Sequence, residues 1–249
     1  APSAGSQNVL ARFGDAGKVA AECDVTVAVL GINKSIEREG QDRFSLELPV
    51  DQQEFIKELY KVNPNTVVVL VAGSSMAVNW MDENVPAILN AWYPGEQGGN
   101  AVAEVLFGDY NPGGRLPLTY YNSLDEIPAF DNYSVKGRTY QYFEGQPLYE
   151  FGYGLSYTKF RYKSKGVNVE QDTVKVSFEV SNTGKYDGDE VAQVYVKYPE
   201  TGTYMPLKQL HGFKRVHIKK GKTSKVTIGV PKKDLRYWDE QERKFVTPK

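Results

Sequence analysis

The stretch that decides the fold runs from Asp24 to Arg43 and reads Asp-Val-Thr-Val-Ala-Val-Leu-Gly-Ile-Asn-Lys-Ser-Ile-Glu-Arg-Glu-Gly-Gln-Asp-Arg. Residues 25–30 form an apolar run without alternation, which predicts a strand buried on both faces, as in a parallel sheet. A charged segment, residues 36–43, follows. Because ligands of open α/β sheets bind outside the carboxyl ends of the strands, this segment lies where chemistry is expected. The simpler alternative is a solvated loop with a structural turn at Asp42 and Arg43.

The residues after this loop predict a strand–helix–strand unit. The sequence Asp-Gln-Gln-Glu at 51–54 favours a helix start, because carboxylates are stabilised at the positive end of the helix dipole. Asn-Pro-Asn at 63–65 ends this helix, and residues 66–72 form a second apolar strand. Such a unit is a right-handed parallel crossover. Pattern also predicts a helix over residues 8–22, a third strand over 86–92 and a helix over 100–107.

Strict alternation of apolar and polar residues marks the last part of the chain. It occurs over residues 174–180, 191–196 and 224–230, between turn signals, and predicts an antiparallel sandwich of immunoglobulin or fibronectin type. We therefore expect an α/β domain over residues 1–160, with an open, mostly parallel sheet flanked by helices. An all-β sandwich domain of one of these two types is expected over residues 161–249, incomplete at its end. Residues 109–158 are too long for an ordinary loop and are expected to wrap the first domain or shape a site.

Composition narrows the classes of function. The 249-residue chain has a net charge of -1 with both signs interspersed, which argues against a nucleic-acid surface. No segment approaches the roughly 18 consecutive apolar residues of a membrane span. The single cysteine, Cys23, excludes an internal disulfide. The 17 Tyr, 11 Phe and 3 Trp offer flat apolar faces with a polar rim, which suit sugar rings and also loop-rich interfaces.

Two short motifs point to other chemistries, and both are weak. The stretch Gly95-Glu-Gln-Gly-Gly-Asn100 could hold a phosphate at a helix start, but it lacks the G-x-G-x-x-G spacing and the P-loop lysine. The stretch Gly73-Ser-Ser-Met-Ala77 resembles a loosened nucleophile elbow. A serine hydrolase would also need a histidine, and the only two are His211 and His217, both in the predicted sandwich. Structural turns explain both motifs better.

Several independent motifs follow one another in a fixed order between Asp24 and Thr158. They are Glu37-Arg-Glu-Gly-Gln-Asp-Arg43, Leu48-Pro49, Gln52, Asn63-Pro-Asn-Thr-Val-Val-Val69, Ala91-Trp-Tyr-Pro-Gly95, Gly98-Gly-Asn-Ala101, Leu106-Phe-Gly-Asp-Tyr-Asn-Pro112, Gly114-Arg-Leu-Pro117, Gly137-Arg-Thr-Tyr140 and Phe151 to Thr158. This order resembles glycoside hydrolase family 3. The remainder is similar to the fibronectin type III-like domain that follows in many members.

The resemblance implies an exo-acting, retaining β-glycosidase. Members join a (β/α)₈ barrel that carries an Asp nucleophile to an α/β domain that carries the general acid/base, with the two carboxyl groups roughly 5–5.5 Å apart. This sequence is expected to begin after the barrel, as a C-terminal part that is inactive without it. The implied substrate is an oligosaccharide or other β-glycoside, a β-glucoside first and a β-xyloside as the alternative. A secreted or periplasmic location is implied, and a homodimer is compatible with the resemblance.

Within the charged loop, Glu37 matches the acid/base position of the family best, and Glu39 is the runner-up. Glu39, Asp42 and Arg43 are then expected to position the loop. No substrate-binding residue is assigned, and no metal or cofactor is expected. A competing hypothesis from another class is a stand-alone carbohydrate-binding or scaffold module. Whether the reading frame or a second chain supplies a barrel would distinguish the two.

Overall fold

A computed structural model describes residues 14–199 and 204–247 of the chain. The chain divides into two compact units. The first comprises residues up to 103 together with 120–127 and 146–148, and the second comprises 104–119, 128–145 and the residues from 149 onward. The expected domain boundary near residue 160 stays a prediction. Of the helix predicted over residues 8–22, residues 14–21 are helical, and the part before residue 14 lies outside the described residues.

The first unit is built on a three-stranded parallel sheet with the strand order β1-β2-β3. The strands are β1 (Thr26–Gly31), β2 (Thr66–Val71) and β3 (Ala87–Asn90). The helices that follow them are α1 (Val50–Val62), α2 (Asn79–Asn84) and α3 (Gly98–Phe107), of which α3 belongs to the first unit up to residue 103 and to the second from residue 104. The predicted α/β class and the strand–helix–strand unit are confirmed. Helix α2 was not predicted.

Burial differs between the first two strands. Residues 68–70 of β2 are at most 2% exposed, so this strand is buried on both faces. In β1, Ala28 and Leu30 are buried, whereas Val27 and Val29 are 47% and 65% exposed. The prediction that β1 is buried on both faces is therefore wrong. The reason is that the face of β1 that carries Val27 and Val29 is not covered by another element in the described part of the chain.

The end of α1 ties the elements of the first unit together. Ile56 and Leu59 bury the apolar stripe of the helix. At Asn63, the backbone N–H donates to the Leu59 carbonyl over 2.8 Å, and the side-chain amide donates to the carbonyls of Ala20 and Cys23. The predicted helix stop thus also anchors the end of the helix at residues 14–21.

The second unit contains seven antiparallel strands in the described part of the chain. They are β4 (Phe160–Glu170), β5 (Thr173–Asn182), β6 (Gly188–Val196), β7 (Gln209–Ile218), β8 (Thr223–Pro231), β9 (Tyr237–Asp239) and β10 (Lys244–Val246). They form a three-stranded sheet in the order β4-β5-β8, a pair β6-β7 and a hairpin β9-β10.

The two larger sheets share one apolar core. It holds Phe178, Val180, Val226, Ile228 and Val230 from one sheet, and Ala192, Val194 and Ile218 from the other. Two sheets that bury their inner faces against each other form a sandwich, as the alternating pattern predicted. Among the described residues, no helix combines the length and the apolar character that crossing a bilayer requires.

Candidate active site

The candidate site lies at the carboxyl end of the parallel sheet, where the loops after β1, β2 and β3 leave their strands. Gln52, at the start of α1, braces the end of β1. Its side chain accepts from the Gly31 N–H and donates to the Gly31 carbonyl, each over 2.8 Å. Gly31 has a φ of 154°, and a Cβ at this position would lie 1.8 Å from the carbonyl oxygen of Val71. Only glycine therefore lets the two strands run side by side into the site.

The loop after β1 begins with a turn organised by Asn33. The Asn33 side chain accepts from the N–H and the hydroxyl of Ser35, and the Asn33 carbonyl accepts from the N–H groups of Ile36 and Glu37. This Asx-type arrangement satisfies the backbone without regular structure. Glu37 thus leaves the turn at a defined position.

A second turn places Glu39 at the tip of the loop. The N–H and carbonyl groups of Arg38 and Gln41 exchange hydrogen bonds of 3.1 and 2.9 Å, so Glu39 and Gly40 are the two central residues. Gly40 has a φ of 74°, which a type II turn requires at this position and which glycine adopts without steric cost. Glu39 is exposed, and in the described part of the chain its side chain has no hydrogen bond or ion pair.

Glu37, by contrast, is tied to a buried guanidinium. Its Oε2 atom lies 2.6 Å from Nε of Arg43 and also accepts from the Ser74 hydroxyl over 2.6 Å. The Arg43 side chain is only 8% exposed and Glu37 24%. Because Ser74 follows β2, this network joins the loop after β1 to the loop after β2.

Every N–H group of Arg43 has a partner. Besides Glu37, the guanidinium donates to the Ser74 hydroxyl, the Ser75 carbonyl, the Met76 sulfur and the Leu46 carbonyl over 2.8–3.4 Å. A planar fork with five donors is the side chain that suits such a set of acceptors. Arg43 therefore holds the loop in place.

The contacts divide the predicted residues differently from the expectation. Of the three residues expected to position the loop, only Arg43 makes such contacts. Asp42 and Glu39 are exposed and have no side-chain partner in the described residues. Glu37, which matches the acid/base position of the family best, is the partner of Arg43.

Sequence reasoning did not assign the aromatic residues that follow β3. Trp92 has a φ of 56°, a region that bulky residues rarely occupy and that costs on the order of 1–3 kcal/mol. Its ring contacts Tyr120 edge-on at 6.5 Å. Tyr93 packs on Gly73 of the neighbouring loop, where a Cβ would lie 2.5 Å from the ring. The only signal in the sequence was the motif Trp-Tyr-Pro-Gly itself.

Tyr120 is the buried residue against which Trp92 packs. It is 2% exposed, and its hydroxyl accepts from the Asn90 side chain over 2.9 Å. Burial raises the pKa of Tyr120 to about 12, although the Asn90 hydrogen bond and the Arg43 charge both oppose the shift. The neutral phenol is therefore part of the folded site.

The weaker motifs have structural roles. The Ser74 hydroxyl is engaged by Glu37 and Arg43. The two histidines lie in β7 with partners of their own, since His211 contacts the Tyr198 hydroxyl at 3.0 Å and His217 contacts Asp189 at 2.7 Å. Within the described ranges, no group of three or more His, Cys, Asp or Glu side chains could hold a metal ion.

Comparison with known proteins identifies the family. Residues 4–157 match the Glycosyl hydrolase family 3 C-terminal domain, which is more than half of the chain, and residues 190–249 match the Fibronectin type III-like domain. The chain therefore belongs to glycosyl hydrolase family 3. Its second part has the fibronectin type III-like fold that the alternating strands predicted.

Individual relatives match most of the chain. The chain is 44% identical over 204 residues to a xylan 1,4-β-xylosidase of Xylanibacter ruminicola, covering 81% of this chain and 24% of the relative. It is 35% identical to a periplasmic β-glucosidase of Salmonella typhimurium, covering 96% and 33%. The crystal structure of a β-glucosidase from Kluyveromyces marxianus in complex with glucose superposes with a TM-score of 0.87 at 35% identity, covering 94% and 30%. The chain thus spans a quarter to a third of the length of these proteins.

Proposed function

We propose that the chain supplies the general acid/base of an exo-acting, retaining β-glycosidase whose Asp nucleophile lies on a (β/α)₈ barrel of the same enzyme. The observation that carries the proposal is the carboxylate of Glu39, which has no partner among the described residues and lies on a braced loop at the carboxyl end of a parallel sheet. The relatives named as β-xylosidase and β-glucosidase support it, and so does their greater length. The substrate is a β-glycoside or oligosaccharide with a terminal sugar to release.

The geometry favours Glu39 over Glu37 as the acid/base. A general acid must bring its carboxyl oxygen to the glycosidic oxygen, and it must later remove a proton from water. One oxygen of Glu37 is already engaged by Arg43 and Ser74 at 2.6 Å. Glu39 lies at the tip of a hydrogen-bonded turn, and neither of its carboxylate oxygens has a partner in the part of the chain that the structure describes. We therefore assign the proton transfers to Glu39, and the positioning of the loop to Glu37 with Arg43.

The chemistry follows from this division. When the nucleophile attacks the sugar, Glu39 donates its proton to the departing oxygen, and in the second step it accepts a proton from the attacking water. Glu37 acts on Glu39 only through the backbone between them. Because general acid–base catalysis contributes about 10²- to 10⁴-fold, loss of Glu39 should lower the rate by that order on substrates that need protonation.

The test compares Glu39→Gln with Glu37→Gln in the complete enzyme, this chain together with its barrel. We expect Glu39→Gln to slow the hydrolysis of alkyl glycosides far more than that of dinitrophenyl glycosides, because the dinitrophenolate leaving group departs without protonation. Azide should partly restore the turnover of the activated substrate, because it attacks the glycosyl-enzyme without a base. Glu37→Gln should slow all substrates alike and lower the unfolding midpoint. The opposite pattern would return the acid/base role to Glu37.

The first candidate substrate is a β-glucoside. The periplasmic β-glucosidase and the glucose-bound structure align over 96% and 94% of this chain. A β-xyloside is the second candidate, because the xylosidase relative has the higher identity, 44%. A secreted or periplasmic location is proposed on the same grounds, from the relative that is named periplasmic.

A further inference from the structure

A cavity of about 640 Å³ lies within the second unit and has no part in the proposed chemistry. Its volume falls in the range of small-molecule sites. One wall is formed by residues 107–111 and the other by the turn between β5 and β6. The side chains that line it include Phe107, Asp109, Asn111, Tyr157, Tyr186 and Asp187.

Each wall is fixed by one asparagine, whose side chain makes hydrogen bonds within the protein. Asn182 is 1% exposed, accepts from Thr158 and Gly184, and donates to the carbonyls of Tyr186 and Ile218. It therefore fixes the turn that presents the second wall. The cavity is thus preorganised on this side.

The first wall is held in the same way. Asn111 donates to the carbonyl of Asp187 over 2.8 Å and accepts from the Ser156 hydroxyl and the Tyr157 N–H. The Tyr157 hydroxyl donates to the Val105 carbonyl over 2.6 Å, which sets the position of its ring. Since Asn111 also reaches Asp187, the two walls are joined.

The rim of the cavity carries exposed aromatic rings and carboxylates. Phe107 is 84% exposed and Tyr186 is 60% exposed. In the described residues, the carboxylate of Asp109 has no partner, and that of Asp187 uses one oxygen to accept from the Lys220 N–H. Exposed aromatic rings beside available carboxylate oxygens form a surface with both apolar faces and strong acceptors.

The exposed rings and carboxylates of the cavity limit the class of ligand that it can bind. Two carboxylates repel anions, and within the described ranges the number of acidic groups is too small for a metal site. An ammonium cage needs aromatic rings that close around the cation. Phe107 and Tyr186 are instead 84% and 60% exposed, so their rings do not enclose such a site. A neutral ligand with flat apolar faces and many hydroxyl groups fits all of these groups.

We propose that this cavity binds a pyranose segment of an oligosaccharide or polysaccharide, with a ring stacked on Tyr186 or Phe107 and hydroxyl groups donating to Asp109 and Asp187. This inference rests on the proposed function, since it assumes a carbohydrate substrate. The cavity would then bind the polysaccharide whose chain ends the enzyme hydrolyses.

The test is native electrophoresis of the complete enzyme through gels that contain soluble β-glucan or soluble xylan. An exo-acting enzyme trims only chain ends, so the polymer persists during the run. The parent enzyme should be retarded by one of the two polymers. Tyr186→Ala and Asp109→Asn should abolish the retardation. Tyr133→Ala is the matched control, because Tyr133 is a 94% exposed tyrosine that does not line the cavity.

Hydrolysis of a nitrophenyl β-glycoside measures the proposed function separately and should be unchanged in all three variants. Retardation that is absent from the parent, or that survives Tyr186→Ala, would overturn the carbohydrate site while leaving the glycosidase proposal intact. Equal loss in Tyr133→Ala would do the same. Release from the polymer by millimolar choline would replace the sugar with a cationic ligand.

Discussion

Arg43 binds Glu37 through its Nε atom at 2.6 Å within the loop after β1, and both side chains also contact Ser74 of the loop after β2. The pair explains why two carboxylates separated by one residue differ in their surroundings. Glu37 faces inward toward the guanidinium, and Glu39 stands on the turn that follows. A charge pair placed this deep resists separation, because a single buried partner would be left uncompensated.

Replacing Arg43 with lysine is expected to destabilise the fold strongly, although the positive charge is kept. A lysine has three donors on one atom and cannot reach the acceptors that the guanidinium satisfies. We expect the free energy of unfolding to fall by about 2–4 kcal/mol and hydrolysis in the complete enzyme to weaken. Urea unfolding measures the first effect. Arg38→Lys is the control, because the Arg38 side chain is exposed and, among the described residues, makes one hydrogen bond, to the Lys34 carbonyl. Equal losses in both variants would contradict the role given to Arg43.

Gly31→Ala tests the junction between β1 and β2. The added Cβ would meet the Val71 carbonyl at 1.8 Å, so the strands must separate. We expect a loss of at least about 3 kcal/mol, or failure to fold. Gly99→Ala, in α3, is the matched change, since a Cβ there meets nothing within 4 Å. It should be neutral or stabilise the chain by up to about 1 kcal/mol. A thermal unfolding midpoint for each variant decides the comparison.

Alkaline pH is expected to destabilise the first unit through Tyr120. Its pKa is raised from 10.0 to about 12 by burial, so the neutral form is favoured in the folded state. The associated stability is fully present below pH 10 and is lost as the pH rises from 10 to 12. The loss amounts to roughly 2–3 kcal/mol. Tyr120→Phe should flatten this part of the curve of unfolding free energy against pH, and Tyr133→Phe should not. Parallel curves for the parent and Tyr120→Phe would contradict the prediction.

The chain alone is expected to release no nitrophenol from aryl β-glycosides. Only one of the two carboxyl groups of the proposed mechanism lies on it. Adding the barrel should restore turnover, and a barrel whose nucleophilic Asp is replaced by Asn should not. Robust hydrolysis by the purified chain would show that the proposed division of the two carboxylates is wrong.

The choice of sugar is tested with matched nitrophenyl β-glucoside and β-xyloside. The two sugars differ in the hydroxymethyl group on C5. A site that hydrogen-bonds this group discriminates strongly against the sugar that lacks it, by up to about 10⁴-fold, whereas a site that merely accommodates it does not. We expect the larger kcat/KM for the glucoside in the complete enzyme. A clear preference for the xyloside would favour the second candidate.

The sequence predicted most of what depends on local pattern. The parallel strand–helix–strand unit and the alternating strands β5, β6 and β8 lie where periodicity placed them. Strand β4 was not predicted, because nearly all of its residues are exposed and no buried face imposes alternation. The positive φ of Trp92 likewise depends on packing that no pattern encodes.

The different surroundings of the two carboxylates could not be predicted from the sequence for a related reason. Glu37 and Glu39 have the same chemistry and nearly the same neighbours along the chain. What distinguishes them is Ser74, which lies 37 residues from Glu37 in sequence and contacts it only after β1 and β2 have paired. The family resemblance located the loop, and only tertiary contacts distinguish Glu37 from Glu39 within it.

The position of β1 at the edge of the sheet has a consequence for the solubility of the chain. Residues 26–30 read Thr-Val-Ala-Val-Leu, with high β-propensity, no charge and no proline, and they form the edge of the described sheet. Such an edge is a template onto which a second molecule adds a strand, and it seeds aggregates. The chain studied alone should therefore precipitate or form oligomers as its concentration rises. A lysine in place of Val29, which is 65% exposed, should keep it in solution.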